Sequence, residues 1–208
     1  MRPNLNIGIA GNIGVGKTTL TKKIAKDLNL EPIFESVIDN PYLEDFYTKM
    51  ERWSFNLQIY FLYTRFKDQL ELLNNKKSFI QDRTIYEDKE IFAYNLFNLG
   101  HMSNRDYVTY CNLFNCIVQF IKEPDLIIYL RANTDTLISR IKERKRDYEV
   151  DISSEYLHRL NISYEKWISK INKDKILIIE TDNFNIYKNK NTYQKILDKI
   201  KNKINDSK

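Results

Sequence analysis

Five short apolar runs in the chain have the length and composition of buried β-strands. They cover Leu5 to Ala10, Pro32 to Phe34, Ser78 to Gln81, Leu126 to Leu130 and Ile176 to Ile179. Helical patterns lie between them, and such alternation predicts an α/β fold with a parallel sheet covered by helices, because parallel strands need long crossovers. Ligands of such sheets bind at the carboxyl ends of the strands.

Two of the helical segments are apolar over much of their circumference. They run from about Arg52 to Leu73 and from Asn104 to Ile121. Such helices need more than one packing partner, so one hypothesis is a homodimer formed through them, and the other is burial deep in a single core. The Lys- and Asn-rich tail from Asn189 onward carries one apolar stripe, which predicts a closing amphipathic helix rather than a membrane-binding or nucleic-acid-binding segment.

Length and composition fit one domain over residues 1–208. The chain has 208 residues, of which 42% are hydrophobic, and its net charge of +5 suits anionic partners without indicating a nucleic-acid-coating protein. Cys111 and Cys116 form neither a disulfide framework nor a structural zinc set. No secretory signal and no apolar run of about 20 residues is found, so we expect a cytoplasmic protein that does not span a membrane.

Four of the five glycines fall within nine residues, from Gly8 in the first strand to Gly16 in the segment that follows it. The segment Gly11-Asn12-Ile13-Gly14-Val15-Gly16-Lys17-Thr18 matches the P-loop pattern G-x-x-x-x-G-K-[ST] and precedes a helical run. Backbone N–H groups of such a loop bind phosphate oxygens, Lys17 reaches the β- and γ-phosphates, and the Thr18 hydroxyl ligates Mg²⁺. The motif predicts binding of a nucleoside triphosphate, and a GTPase, an ATPase and a small-molecule kinase all remain open.

Charged side chains stand where two further strands are predicted to end. Glu35 follows the second strand, and a carboxylate there can accept the proton of an attacking hydroxyl. Asp82 and Arg83 follow the third strand, where Asp82 could hold the water shell of Mg²⁺ and Arg83 could offset charge on the transferred phosphoryl group. The alternatives are a solvated loop acid at Glu35 and a surface ion pair at Asp82 and Arg83.

Polar residues on two helical segments are further candidates. Gln58 and Arg65 lie seven residues apart, hence on one helix face, and a glutamine amide suits the edge of a nucleobase. Arg140 and Arg144 share a face in an arginine-rich run that also contains Arg146, as a lid over phosphates requires. Exposed polar surfaces are the alternative for both sets.

Taken in order, these pieces resemble the deoxynucleoside kinase family over most of the chain. The matching segments are Gly11 to Thr18, Phe34-Glu35-Ser36, Asn40 to Leu43, Phe46-Tyr47, Arg52 to Phe55, Gln58, Arg65, Asp82-Arg83-Thr84, Tyr86-Glu87-Asp88, Ile91-Phe92-Ala93 and an arginine lid at about residues 140–150 that ends at Glu149. The resemblance implies a P-loop kinase fold, a five-stranded parallel sheet flanked by helices with a short arginine-rich lid, a cytoplasmic or organellar homodimer, and transfer of the γ-phosphate of ATP, with Mg²⁺, to the 5′-hydroxyl of a deoxynucleoside.

The resemblance also implies roles for individual residues. Glu35 looks like the general base, and Arg83 like the residue that steadies the 5′-oxygen and the transferring group. Gln58 would read the base, Tyr47 and Glu149 would hold the sugar 3′-hydroxyl, and Phe92 would stack on the base. The implied pocket wall is Leu43, Phe46, Trp53 and Leu57, the implied metal site is Thr18 with Asp82, and the implied phosphate site is Gly11, Asn12, Ile13, Gly14, Val15, Gly16, Lys17, Thr18, Thr19, Arg140, Arg144 and Arg146.

The choice of base depends on the neighbours of Gln58, because a glutamine amide can turn to match any of the four bases. Arg65 and Asp88 resemble a charged pair of family members directed to purines and cytosine, which disfavours thymidine. The short chain and the segment Tyr42 to Tyr47 look most like mycoplasma-type deoxyadenosine kinases. We therefore expect deoxyadenosine first, with deoxyguanosine and deoxycytidine as secondary substrates. Leu57 departs from relatives that have an aromatic ring there, so the contacts to the base differ.

Three other functions are compatible with parts of the pattern. A nucleoside monophosphate kinase of the thymidylate kinase type shares the phosphate loop, the Asp-Arg pair and the arginine lid. An NTP-binding switch would hydrolyse nucleotide without an acceptor, and a basic nucleic-acid module would bind DNA in a salt-dependent way. None of the three accounts for Tyr47, Gln58, Arg65, Asp88 and Glu149 together.

Overall fold

A computed structural model describes residues 4–35, 40–74, 76–146, 149, 152–184 and 190–206. Within these ranges five strands form one parallel sheet in the order β2-β3-β1-β4-β5. The strands are β1 (Asn6–Gly11), β2 (Glu31–Ile33), β3 (Phe79–Asp82), β4 (Leu126–Arg131) and β5 (Ile176–Glu180). All five predicted strands are confirmed, within one residue at each end. Ser36 and Asn189 lie outside the described residues.

The helices that connect these strands include both long segments predicted from the sequence. The α-helices are α1 (Lys17–Leu28), α2 (Leu43–Thr48), α3 (Met50–Asn74), α4 (Ile85–Glu87), α5 (Tyr94–Asn98), α6 (Asn104–Ile117), α7 (Thr134–Arg144), α8 (Ser154–Ile168) and α9 (Lys190–Asp206). A π-helical turn, Asp88–Ala93, joins α4 to α5, and a 3₁₀ turn, Val118–Phe120, follows α6. The helix predicted to reach Ile121 therefore ends earlier, because its last turn tightens into 3₁₀ geometry.

Helices cover the middle strands on both sides, which explains why those strands read as unbroken apolar runs. Along β4 the side chains alternate: Ile128 packs with α1, α7 and α9 on one side, whereas Ile127 and Tyr129 pack with α8 on the other. A second cluster joins α2, α3 and α6 beyond the sheet. The carboxyl ends of β1, β2 and β3 consequently open onto a space that α3 and α8 also border.

Candidate active site

The P-loop connects β1 to α1, and its shape depends on glycine at two positions. Gly11 has φ of 147°, and a Cβ atom there would lie 2.7 Å from the carbonyl oxygen of Leu130. Gly14 has φ of 83°, and a Cβ there would lie 2.8 Å from the side chain of Ile141 on α7. Both the left-handed backbone and the close approach of neighbours exclude larger residues. The predicted strand–loop–helix context of the motif is confirmed.

Two side chains of the loop stabilise it from within. Lys17 Nζ donates to the carbonyl oxygens of Gly11 at 2.9 Å and Asn12 at 3.0 Å. Asn12 ties the loop to α8, since its Nδ2 donates to Leu157 O at 2.9 Å and to Asn161 Oδ1 at 2.7 Å. Burial, together with the positive charge of Arg83, lowers the pKa of Lys17 to about 8. The amine is therefore buried in the loop that is predicted to take the phosphates.

Thr18 and Asp82, the predicted Mg²⁺ ligands, are in direct contact. The Thr18 hydroxyl donates to Asp82 Oδ2, and Asp82 Oδ1 is buried without a hydrogen-bond partner among the described residues. A hydroxyl and a carboxylate are the hard oxygen ligands that Mg²⁺ prefers, and the unsatisfied Oδ1 fits a cation or its water shell. Among the described residues, no group of three or more His, Cys, Asp or Glu side chains is able to hold a metal.

Glu35, at the end of the segment after β2, lies between two arginines. Its Oε1 accepts from Arg65 Nη2 at 2.8 Å and from Arg83 Nε at 3.0 Å. Burial opposes ionisation of this carboxyl, but the positive charges of Arg83, Arg65 and Lys17 outweigh it and lower the pKa of Glu35 to about 2. The side chain keeps 21% of its surface exposed, so a charged carboxylate faces the cavity.

Arg65 connects this cluster to the predicted base-reading residues. Its Nε donates to Asp88 Oδ2 at 2.8 Å, and its Nη1 donates to the backbone carbonyls of Asp82 and Arg83. Burial raises the pKa of Asp88 to about 7, and the charge of Arg65 acts against that rise. The structure brings Arg65 and Asp88 together as a buried pair, as predicted from the sequence.

The cavity has a volume of about 690 Å³, within the range for a small-molecule site. Gln58 is 2% exposed, and its Oε1 is buried without a partner among the described residues, so the amide can take a ligand hydrogen bond. The ring of Phe92 lies against the Arg83 guanidinium, 4.3 Å from ring centroid to Cζ. Predicted residues that line the cavity are Ile13, Gly14, Gly16, Lys17, Thr18, Thr19, Glu35, Leu43, Phe46, Tyr47, Leu57, Gln58, Asp82, Arg83, Asp88, Phe92, Arg140, Arg144, Arg146 and Glu149.

Trp53 does not line this cavity in the described part of the chain. Its ring packs at 5.9 Å from the ring of Tyr42 and at 4.3 Å from the Arg52 guanidinium. The family resemblance alone implies a place for Trp53 in the pocket wall, whereas in this structure its ring packs against that of Tyr42.

The three lid arginines have different partners. Arg140 donates from Nη1 to Val15 O at 3.1 Å and from Nη2 to the carbonyl oxygens of Thr181 and Phe184, so it holds the P-loop against the end of β5. Arg144 and Arg146 both donate to the carboxylate of Glu149. Part of the lid at residues 140–150 lies outside the described residues. Arg144, Arg146 and Glu149 thus satisfy one another in this conformation, and their predicted contacts to phosphates and sugar remain predictions.

The sequence analysis assigned no role to several residues of the site. Tyr156 on α8 lines the cavity, and burial raises the pKa of Tyr47, with the phenol of Tyr156 and the carboxylate of Glu149 adding to the rise. Glu87 and Tyr164 lie beneath Arg83 and are both fully buried. One signal could have revealed a role for Glu87: the spacing from Thr84 to Glu87 is that of a helix capping box, and in the structure the Thr84 N–H donates to the Glu87 carboxylate. Tyr164 has no such local signal.

The protein-family comparison agrees with this geometry. A family model described as "Deoxynucleoside kinase" matches residues 7–205 of the chain. The chain belongs to the deoxynucleoside kinase family. This membership favours the deoxynucleoside kinase prediction over the thymidylate kinase alternative and over the switch and nucleic-acid hypotheses.

Individual members of the deoxynucleoside kinase family are similar over nearly the whole chain. The deoxyadenosine/deoxycytidine kinase of Bacillus subtilis (strain 168) is 41% identical over 206 residues, which cover 98% of this chain and 95% of that protein. The deoxyadenosine kinase of Dictyostelium discoideum is 45% identical over 168 residues, 81% of this chain and 68% of that protein. A solved structure of M. mycoides deoxyadenosine kinase with bound products is 34% identical, with a TM-score of 0.82 over 97% of this chain and 100% of that one.

Proposed function

We propose that this chain transfers the γ-phosphate of ATP to the 5′-hydroxyl of a deoxynucleoside, with deoxyadenosine preferred, in nucleotide salvage. The observation that carries the proposal is the shared cavity: Lys17 and Thr18 of the P-loop line it together with the Glu35 carboxylate and Arg83. A donor loop and a charged acceptor site that line one cavity are what phosphoryl transfer between two bound small molecules requires.

On the donor side, backbone N–H groups of the loop and Lys17 hold the β- and γ-phosphates. Lys17 now donates to two loop carbonyls, and an arriving phosphate offers a stronger, charged acceptor for the same amine. Thr18 and Asp82 would hold Mg²⁺, which when bound supplies positive charge at the phosphate oxygens. Arg144 and Arg146 add positive charge when they leave Glu149.

On the acceptor side, the Glu35 carboxylate orients the 5′-hydroxyl and accepts its proton as the new P–O bond forms. A carboxylate with a pKa of about 2 is ionised at every working pH, but it is a weak base. Its main contribution is therefore position, which suits a loose phosphoryl-transfer transition state. Arg83 neutralises charge on the phosphoryl group while it moves from ADP to the 5′-oxygen.

At the base end of the site, three buried polar groups favour a base with an exocyclic amino group. The Gln58 amide offers an acceptor and a donor, and the carboxylate of Asp88 beside Arg65 can accept from an amino group. Adenine and cytosine carry such an amino group, whereas thymine presents a carbonyl and a methyl group there. The similarity to proteins named for deoxyadenosine supports placing deoxyadenosine first, ahead of deoxyguanosine and deoxycytidine.

The apolar surface of α3 and α6 supports a homodimer. These helices pack together, and Tyr63 on α3 and Val108 and Leu113 on α6 expose 55%, 47% and 40% of their surfaces, as does Phe120 in the next turn at 68%. Exposed apolar side chains on two helices that pack together form a surface that a partner would cover. Two free thiols fit a reducing, cytoplasmic location, and no described helix is both long and apolar enough to cross a membrane.

Product analysis with labelled ATP tests the proposal. The purified protein is incubated with ATP, Mg²⁺ and either deoxyadenosine, deoxyadenosine monophosphate or thymidine monophosphate, and the products are separated by chromatography. We expect deoxyadenosine 5′-monophosphate from the nucleoside and no diphosphate from either monophosphate. Phosphorylation of a monophosphate without phosphorylation of any nucleoside would reject the proposal in favour of a nucleoside monophosphate kinase.

A further inference from the structure

Glu87 and Tyr164 are two ionisable side chains beneath the site that the proposed mechanism does not use. Glu87 is the last residue of α4 and Tyr164 lies on α8, and each has 0% of its surface exposed. Neither is among the described residues that line the cavity. A fully buried carboxylate is costly unless charged or polar groups surround it, so their contacts indicate what they hold.

Both side chains contact the first residue of the P-loop. Glu87 Oε1 accepts from the backbone N–H of Gly11 at 3.2 Å, and the Tyr164 hydroxyl lies 2.8 Å from the carbonyl oxygen of the same residue. The hydroxyl is also 2.8 Å from Glu87 Oε1, and it donates its single proton to one of these two acceptors at a time. Glu87 and Tyr164 therefore hold the peptide groups on both sides of the Gly11 Cα.

The same two side chains hold Arg83. Its Nη1 donates to the Tyr164 hydroxyl oxygen at 2.6 Å and to Glu87 Oε1 at 3.4 Å. Its Nε donates to Glu35, so one edge of the guanidinium faces the proposed acceptor site while Nη1 is held beneath it. The orientation of the guanidinium plane is thus determined from two sides.

The backbone of Arg83 gives a reason for this support. Its φ is 75°, a left-handed conformation that non-glycine residues rarely adopt and that persists only where the surroundings hold it. Glu87 Oε2 accepts from the next backbone N–H, that of Thr84, at 2.7 Å, and Arg83 N donates to Ile9 O at 3.0 Å. One carboxylate therefore fixes both the strained backbone and the side chain of Arg83.

We propose that Glu87 and Tyr164 are positioning residues that fix the Arg83 guanidinium relative to the P-loop. The charge of the arginine then lies next to the γ-phosphoryl group during its transfer. The inference rests on the proposed kinase function. It predicts that loss of either polar group lowers the rate of transfer more than the binding of either substrate, because Arg83 acts on charge that develops in the transition state.

The substitution Tyr164→Phe tests this with little change in packing. The ring stacks on Tyr129 at 5.6 Å and contacts Trp167 at 6.4 Å, and a phenylalanine keeps both contacts. Tyr129→Phe is the matched control, since its hydroxyl donates to Glu165 instead. For Tyr164→Phe we expect kcat to fall about 10- to 100-fold, the effect of losing one hydrogen bond to a charged group, with KM for deoxyadenosine and for ATP within about threefold of wild type.

The control and the thermal unfolding temperature separate positioning from a purely structural role. Tyr129→Phe should keep wild-type kcat. If Tyr164→Phe lowers the unfolding temperature but retains kcat within about twofold of wild type, the inference is overturned while the kinase proposal stands. If the wild-type protein phosphorylates no deoxynucleoside, the kinase proposal itself fails, and the inference with it.

A second variant extends the test to Glu87. Glu87→Gln keeps one acceptor oxygen but replaces the other with an NH₂ group, which cannot accept a hydrogen bond. That NH₂ group would face either Thr84 N or the donors of Gly11 and Arg83. The variant should therefore also lower kcat more than it raises KM. Because both residues act on Arg83, the double variant should lose less activity than the product of the two single losses. A loss equal to that product would show that the residues act independently and would overturn the shared role.

Discussion

Glu35 accepts the proton of the 5′-hydroxyl in the proposed mechanism. Its environment determines how much it contributes to kcat. Glu35→Gln keeps the shape but removes the charge between Arg65 and Arg83. We expect kcat to fall about 10²-fold, the lower end of the range for a general base, because a carboxylate with a pKa of about 2 is weakly basic. Glu31→Gln, on β2, is the control, since Glu31 pairs with Lys77 at the surface. Steady-state kinetics of the two variants with saturating ATP gives the comparison, and near-normal kcat for Glu35→Gln would contradict the assignment.

The lowered pKa of Lys17 predicts that kcat/KM for ATP falls at alkaline pH. Its pKa in the free enzyme is lowered to about 8, so the amine loses its charge, and with it the attraction for phosphate, as the pH rises past that value. Measured at saturating deoxyadenosine, kcat/KM for ATP should be constant near pH 7 and fall as the pH rises above about 8. The Lys17→Arg variant keeps its charge over this pH range, so its kcat/KM for ATP should not show the decrease above about pH 8. A wild-type profile that is flat to about pH 10 would contradict the prediction.

Some residues of the site could be predicted from the sequence and others could not. Glu35, Asp82 and Arg83 were found because parallel strands end at one edge of a sheet, so residues after the strands meet there. Tyr164 lies 81 positions after Arg83 and reaches it only because α8 packs on the sheet. Contacts of this kind depend on tertiary packing, and no local pattern in the sequence encodes them.

At the scale of elements, the strands and the long helices were predictable from the sequence, and the short helical turns were not. The segment from Ile85 to Asn98 changes from α- to π- and back to α-helix. This change depends on which carbonyl each N–H reaches, and it sets the positions of Asp88 and Phe92 in the site. π-Helical turns of this kind often occur at functional sites, which agrees with its location here.

The lid residue Glu149 has different partners in this structure and in the proposed complex, and this difference can be tested. In this structure it binds Arg144 and Arg146, and in the proposed complex it and Tyr47 hold the 3′-hydroxyl of the sugar. Wild type should therefore prefer deoxyadenosine over 2′,3′-dideoxyadenosine by about tenfold or more in kcat/KM, the effect of one charge-assisted hydrogen bond. Glu149→Ala should lose most of that preference.

The comparison of the two substrates within each variant controls for general damage to the lid. If Glu149→Ala lowers activity on both nucleosides equally and leaves their ratio unchanged, Glu149 does not contact the 3′-hydroxyl. The same variant frees Arg144 and Arg146, so KM for ATP provides a second, independent readout of the lid arginines.

At the scale of the whole molecule, the proposed dimer depends on the apolar surface of α3 and α6. Leu113→Lys places a charge on that surface and should shift the protein from dimer to monomer in sedimentation velocity experiments. Ile178→Lys on β5, at 41% exposure against 40% for Leu113, is the matched control and should leave the dimer intact. A wild-type protein that sediments as a monomer at micromolar concentration would contradict the proposal.

The base end of the pocket determines which deoxynucleoside is preferred, since the phosphate loop and the acceptor charges serve any deoxynucleoside. Thymine would place a carbonyl and a methyl group against the buried pair of Arg65 and Asp88 and leave polar atoms there unpaired. The chemistry of the pocket therefore separates thymidine from deoxyadenosine and deoxycytidine, whose bases carry an amino group there, more sharply than it separates those two from each other.

The most direct test is a steady-state comparison of kcat/KM for deoxyadenosine, deoxyguanosine, deoxycytidine and thymidine with ATP and Mg²⁺. Deoxyadenosine should have the highest value, deoxyguanosine and deoxycytidine should follow, and thymidine should be lower than deoxyadenosine by about 10²-fold or more. A value for thymidine above those of the other three would contradict the roles assigned to Arg65 and Asp88.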